Sequence, residues 1–117
     1  MVKMKKEWNY PNSMDAVSAA PESHKVLLEN EKVRVVEVII SQGRREPKHT
    51  HKWPSVMIVD KPAKIVYYNE KDKGRLISHN KNIKQPIVEW INPEKPHSVE
   101  NIDVIPYHAI RIELKNQ

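Results

Sequence analysis

The sequence has no cysteine and no phenylalanine. Without cysteine there are no disulfide staples, no thiolate metal sites and no cysteine nucleophile. No RNA- or DNA-binding signature is present either. No apolar run approaches the ~18 residues of a membrane span. The basic start, Met1-Val2-Lys3-Met4-Lys5-Lys6-Glu7, has no apolar stretch of a signal peptide behind it. No long segment repeats apolar residues at helical spacing, and there is no internal repeat or low-complexity tract. These absences predict a cytoplasmic protein with no membrane partner.

What is present is one domain's worth of chain, 117 residues with 38% hydrophobic and 30% charged side chains. The formal net charge is +5, but Lys and Arg are interleaved with Glu and Asp. The dense basic clusters are Lys3/Lys5/Lys6 and Gly43-Arg44-Arg45. That pattern reads as a solvated surface and predicts no nucleic-acid partner. With thiols excluded, six histidines and fifteen carboxylates are the candidate metal ligands.

Residues 1–24 read as an N-terminal arm. Trp8 and Tyr10 are its candidate anchors, Asp15 could cap a short helical turn, and Pro21 would stop it. Residues 25–117 read as a β domain. Short β-rich runs follow one another roughly every 8–12 residues. Val33-Arg34-Val35-Val36-Glu37-Val38-Ile39-Ile40 is the densest in β-branched residues. Tyr107-His108-Ala109-Ile110-Arg111-Ile112-Glu113-Leu114 alternates with period two. Seven to nine strands and nine prolines predict an all-β sandwich or barrel.

Two places carry chemistry. His49 and His51 stand two apart, so on an extended strand both project from one face. One nitrogen from each can then reach a shared ion at ~2.0–2.1 Å. His97 follows a proline-shaped turn, Pro93-Glu94-Lys95-Pro96, and a barrel could bring it to the same spot. Trp53 and Met57 share the parity of the histidine pair and are candidate pocket walls. If Ile110, Ile112 and Leu114 face the core, His108 faces inward with them and Arg111 faces out. His24 and His79 read as solvated.

These residues resemble the two motifs of a small single-domain cupin. Gly43, His49 and His51 match the first motif; Pro93, His97 and Asn101 match the second. The resemblance implies a double-stranded β-helix, or jelly-roll, barrel. It implies one divalent transition metal (iron, zinc, nickel or copper) on His49, His51 and His97. It also implies a homodimer and a small organic molecule as partner. Where the first motif carries a glutamate ligand, this chain has Ser55 or Val56, and Glu46 lies upstream out of register. Ser55, Met57, His108 and Trp53 are the candidate pocket residues. Two functions stay open: a dioxygenase-like or other metal-dependent enzyme acting on a small organic substrate, and a non-catalytic ligand-binding barrel with a vestigial or absent metal site.

Overall fold

A computed structural model describes residues 7–115. The Lys3/Lys5/Lys6 cluster lies outside the described residues. The chain folds into nine strands after a short helical lead-in: β1 His24–Glu29, β2 Val33–Ile40, β3 His49–His51, β4 Ser55–Lys61, β5 Ile65–Tyr68, β6 Gly74–Ile77, β7 Ile87–Ile91, β8 Glu94–Asn101 and β9 Tyr107–Leu114. They form two antiparallel sheets, a five-stranded one ordered β1-β2-β9-β4-β7 and a four-stranded one ordered β3-β8-β5-β6. The β-branched runs supply the strands, and prolines and polar turns punctuate them. Gly43, at φ 75°, takes the left-handed conformation in the turn after β2.

The apolar core lies between the sheets. Val36, Val38 and Ile40 of β2 meet Val59, Ala63, Ile65, Tyr107 and Ala109. The outward face of the larger sheet is also aliphatic. Cross-strand pairing lines up Leu28, Val35, Ile112, Val56 and Trp90 in one row over five strands, with Leu28 and Trp90 more than half exposed.

That outer row corrects the expected parity of β9. Tyr107, Ala109, Arg111 and Glu113 face inward, while His108, Ile110, Ile112 and Leu114 face outward. The reason is chemical. The interior at this strand is a place for ion pairs, so its charged residues go in and its aliphatics cover the outside.

The expected arm packs onto the domain through the short helix that follows two exposed residues, Asn12 and Ser13. A 3-10 turn (Asn12–Met14) leads into α1 (Ala16–Ala19), capped by the Asp15 carboxylate 3.3 Å from the Val17 amide. Ala16 and Ala20 are fully buried. Trp8 and Tyr10 touch edge to face, 5.0 Å between ring centres. Arg34 lies beneath this segment and binds Asp15 with both terminal nitrogens at 2.9 Å. It also donates to Glu113 at 2.8–3.1 Å.

Candidate metal centre

The site begins with a break in strand pairing. His49 opposes His97, but two residues on, His51 opposes Glu94. One extra residue therefore sits on β8, and Pro96, which has no N–H to pair, lies in the irregular stretch. In a regular strand, residues three apart point to opposite faces. This β-bulge lets both Glu94 and His97 reach the interior.

His49, His51 and His97 are 1%, 1% and 3% exposed. The ring centre of His49 lies 5.0 Å from that of His51 and 4.5 Å from that of His97; His51 and His97 are 5.4 Å apart. A fourth ring joins them. His24, expected to be solvated, is 4% exposed and stands 4.8 Å from His49 and 5.4 Å from His51. Two sets of three have ligand atoms mutually within 4.8 Å: His24 with His49 and His51, and His51 with Glu94 and His97.

Main-chain carbonyls orient the rings. His49 Nδ1 lies 2.8 Å from the Pro47 carbonyl and His97 Nδ1 2.7 Å from that of Lys95. A neutral imidazole that donates from Nδ1 keeps its lone pair on Nε2. Burial holds the rings neutral. It lowers His49 to about 3 and His24 to about 4, puts His51 well below the ordinary histidine value, and lowers His97 too. His49 Nε2 and His51 Nδ1 are buried with no hydrogen-bond partner among the described residues. Buried, neutral imidazole nitrogens without a protein partner fit a divalent transition metal.

Two carboxylates outside the motif matches flank the rings. Glu46 Oε1 lies 3.6 Å from His49 Nε2, and its other oxygen accepts from Ser23 Oγ at 2.8 Å. Burial pushes the Glu46 carboxyl up to about 7. Glu94 lies 3.4 Å from His97 Nε2. It accepts from Arg111 Nη2 at 2.6 Å and from the Tyr67 hydroxyl at 2.8 Å. Burial pushes its carboxyl up, but the charge of Arg111, with His97 and these hydrogen bonds, holds it below the usual value. Tyr67 also stacks on His97, centres 4.9 Å apart and planes 9° from parallel.

The cluster faces a cavity of about 310 Å3. Val38, Ile40, Met57, Val59, Ile65 and Val99 form apolar walls, and Arg75, His79 and Glu89 also line it. Among the expected pocket residues Met57 lines the cavity, and the other three lie elsewhere. Ser55 is fully buried, its hydroxyl 3.3 Å from Arg111 Nη1. Trp53 lies among cations instead, with Arg34, Lys52 and Lys115 within 4.7–5.1 Å of its ring centre. Trp53 falls between β3 and β4, off both strands, and the inward parity resumes at Ser55, Met57 and Val59. His108 lies on the outer face between Asp60 and Glu37, 2.9 Å from Glu37 Oε2. Partial burial lowers His108, but the two carboxylates outweigh it and raise the ring above its ordinary value. The inward place on β9 belongs to Arg111, against the expected outward parity.

No family model matches the sequence, and no curated protein does. Solved structures do. A cupin domain from Bordetella pertussis Tohama I aligns at a TM-score of 0.64 and 17% identity, over 79% of this chain and 91% of that one. An RmlC-like cupin family protein with a double-stranded β-helix fold, from Methanocaldococcus jannaschii, aligns at 0.59 and 12%, over 97% and 92%. A cupin-like protein from Thermotoga maritima aligns at 0.54 and 21%, over 80% and 68%. The fold is the cupin double-stranded β-helix.

Proposed function

We propose that this cupin-fold chain holds one divalent transition metal (iron, zinc, nickel or copper) through His49, His51 and His97 and offers it to a small organic molecule in the cavity. One observation carries the reading: the unpaired nitrogens of His49 and His51, on rings kept neutral by burial. An unanswered buried polar group costs about 1–3 kcal/mol, and a metal would answer it. When bound, a metal supplies Lewis acidity and, as iron, redox chemistry with dioxygen.

The chain supplies the rest. Arg111 brings a buried positive charge to the cavity, with its Nε unpaired among the described residues, and would hold an acidic group of the guest. Glu94 orients that guanidinium, and Tyr67 fixes Glu94. The aliphatic walls keep water from the guest. We read the activity as metal-dependent and dioxygenase-like. The outward aliphatic row supports pairing as a homodimer, for which sedimentation should give twice the chain mass; a monomer mass at micromolar concentration contradicts it.

The test is metal content of protein purified without a histidine tag, beside His49→Ala and His97→Ala variants whose fold is checked by circular dichroism. About one metal per chain, lost in both variants, is expected. Less than about a tenth of an equivalent, unchanged by added iron, zinc, nickel or copper, overturns the reading. The same cavity is then a non-catalytic ligand site.

A further inference from the structure

His24 belongs to neither histidine motif, yet the fold puts it in the centre. It opens β1 and is buried beside His49 and His51. Its Nδ1 lies 3.1 Å from the Ala20 carbonyl and 2.9 Å from Ser23 Oγ. A ring donating to that carbonyl carries its lone pair on Nε2. This is the arrangement already seen at His49 with Pro47 and at His97 with Lys95. A carbonyl partner on the far nitrogen is how proteins orient a metal-binding histidine.

Two carboxylates are alternative fourth donors: Glu46, 3.6 Å from His49 Nε2 but in neither set of mutually close ligand atoms, and Glu94. The two Glu94 oxygens already accept from Arg111 and Tyr67, and binding a metal would compete with both bonds. His24 has no such rival for its Nε2 among the contacts described, and its ligand atom lies within 4.8 Å of those of His49 and His51.

The carbonyl that orients His24 ends α1, where the Ala20 amide bonds back to Ala16 at 2.8 Å. The other end of α1 is tied to the same site. Asp15, its cap, forms a parallel bridge with Thr50, the residue between His49 and His51. The N-terminal segment thus meets the histidine cluster at both of its ends.

We propose that His24 is a ligand of the metal, completing a four-histidine centre, and that metal binding fastens residues 12–23 to the barrel. This rests on the metal reading above and adds to it a donor outside the two motifs. It makes the N-terminal segment the part of the fold that responds to metal.

The experiment titrates untagged, full-length protein with cobalt(II) against a competing chelator. It follows visible absorption and the amide exchange of residues 18–20. Wild type should bind one cobalt, and the metal should slow exchange of the amides of Ser18, Ala19 and Ala20. His24→Gln should bind at least about 100-fold more weakly, beyond the 10–100-fold of an indirect partner, with a changed spectrum and no metal-dependent protection. If His24→Gln does not fold, His24→Ala with added imidazole decides, because imidazole filling the gap should restore the wild-type spectrum. Cobalt binding within about threefold of wild type in a variant lacking His24, with the same spectrum and the same protection, overturns the role of His24 and leaves the metal reading standing. Failure of imidazole to change the spectrum of folded His24→Ala also counts against it. If wild type itself binds no cobalt, the metal reading falls first, and this proposal with it.

Discussion

Two polar clusters are buried in this barrel, and they differ in how completely they are satisfied. In one, Arg34 is clasped by Asp15 and Glu113, with five nitrogen–oxygen contacts of 2.8–3.1 Å. Burial lowers the Arg34 guanidinium, but its two carboxylates outweigh that and raise it. In the other, four neutral histidines crowd together, and His49 Nε2, His51 Nδ1 and Arg111 Nε have no partner among the described residues. A complete network stabilises the fold it sits in. An incomplete one costs stability, and the account here is that a ligand completes it.

The comparison breaks most readily at Glu113. Glu113→Ala would leave Arg34 facing Asp15 alone, and losing half of a buried pair costs about 3–5 kcal/mol. Urea unfolding should show that loss, while the remaining folded protein binds metal with unchanged affinity. A loss of metal affinity matching that of the histidine variants would merge the two clusters into one.

The reverse experiment is His51→Leu. It removes an unpaired polar ring and puts an apolar side chain beside aliphatic walls. Metal-free stability should stay within about 1 kcal/mol of wild type or rise, while metal binding is lost. A destabilisation as large as that of Glu113→Ala would mean the histidines are structural.

Acid should distinguish the clusters too. The four buried histidines have folded values below the unfolded 6.5, down to about 4 for His24 and about 3 for His49. The unfolded chain therefore binds more protons below pH 6.5, and stability falls as pH drops toward 4 and then 3. Glu46 acts the other way. Its folded value of about 7 stands above the ordinary 4.5, so its contribution is full below 4.5 and is lost as pH rises to 7. Burial raises Glu113 as well, against the pull of Arg34, so it acts with Glu46. Four lowered histidines and the lowered Glu94 against these two carboxyls give a net acid loss. The urea midpoint of metal-free protein should fall between pH 6.5 and 4, and the fall should shrink in His49→Leu. A midpoint flat across that range contradicts neutral buried rings.

The smallest effect is expected at His108. It is partly exposed between Asp60 and Glu37 on the outer face. Such pairs contribute about 0–1 kcal/mol. His108→Ala should change the urea midpoint by no more than that and leave metal affinity unchanged.

Much of this was legible in the chain itself. The β-branched runs mark β2 and β9, and the spacing of His49, His51 and His97 marks the motifs of the barrel. What stayed hidden depended on pairing. His24 has no fixed spacing to the other histidines; the pairing of β1 with β2 and the Ala20 carbonyl deliver it. Glu94 reaches the interior through an extra residue on β8, which strict alternation cannot foresee. On β9 the alternation was visible but its direction was not, because the outward strip is the more aliphatic one. A barrel that houses a polar site reverses the usual reading of which stripe is core, so Arg111 was placed outside and His108 inside.

The central claim is that the unsatisfied histidines form a metal centre. The most direct measurement is anomalous X-ray scattering from a crystal of metal-loaded protein, recorded above and below the absorption edge of the added metal. The account predicts one strong anomalous peak among the rings of His24, His49, His51 and His97, at about 2.0–2.1 Å from their nitrogens. A well-ordered cluster with no peak there, at saturating metal, would contradict it.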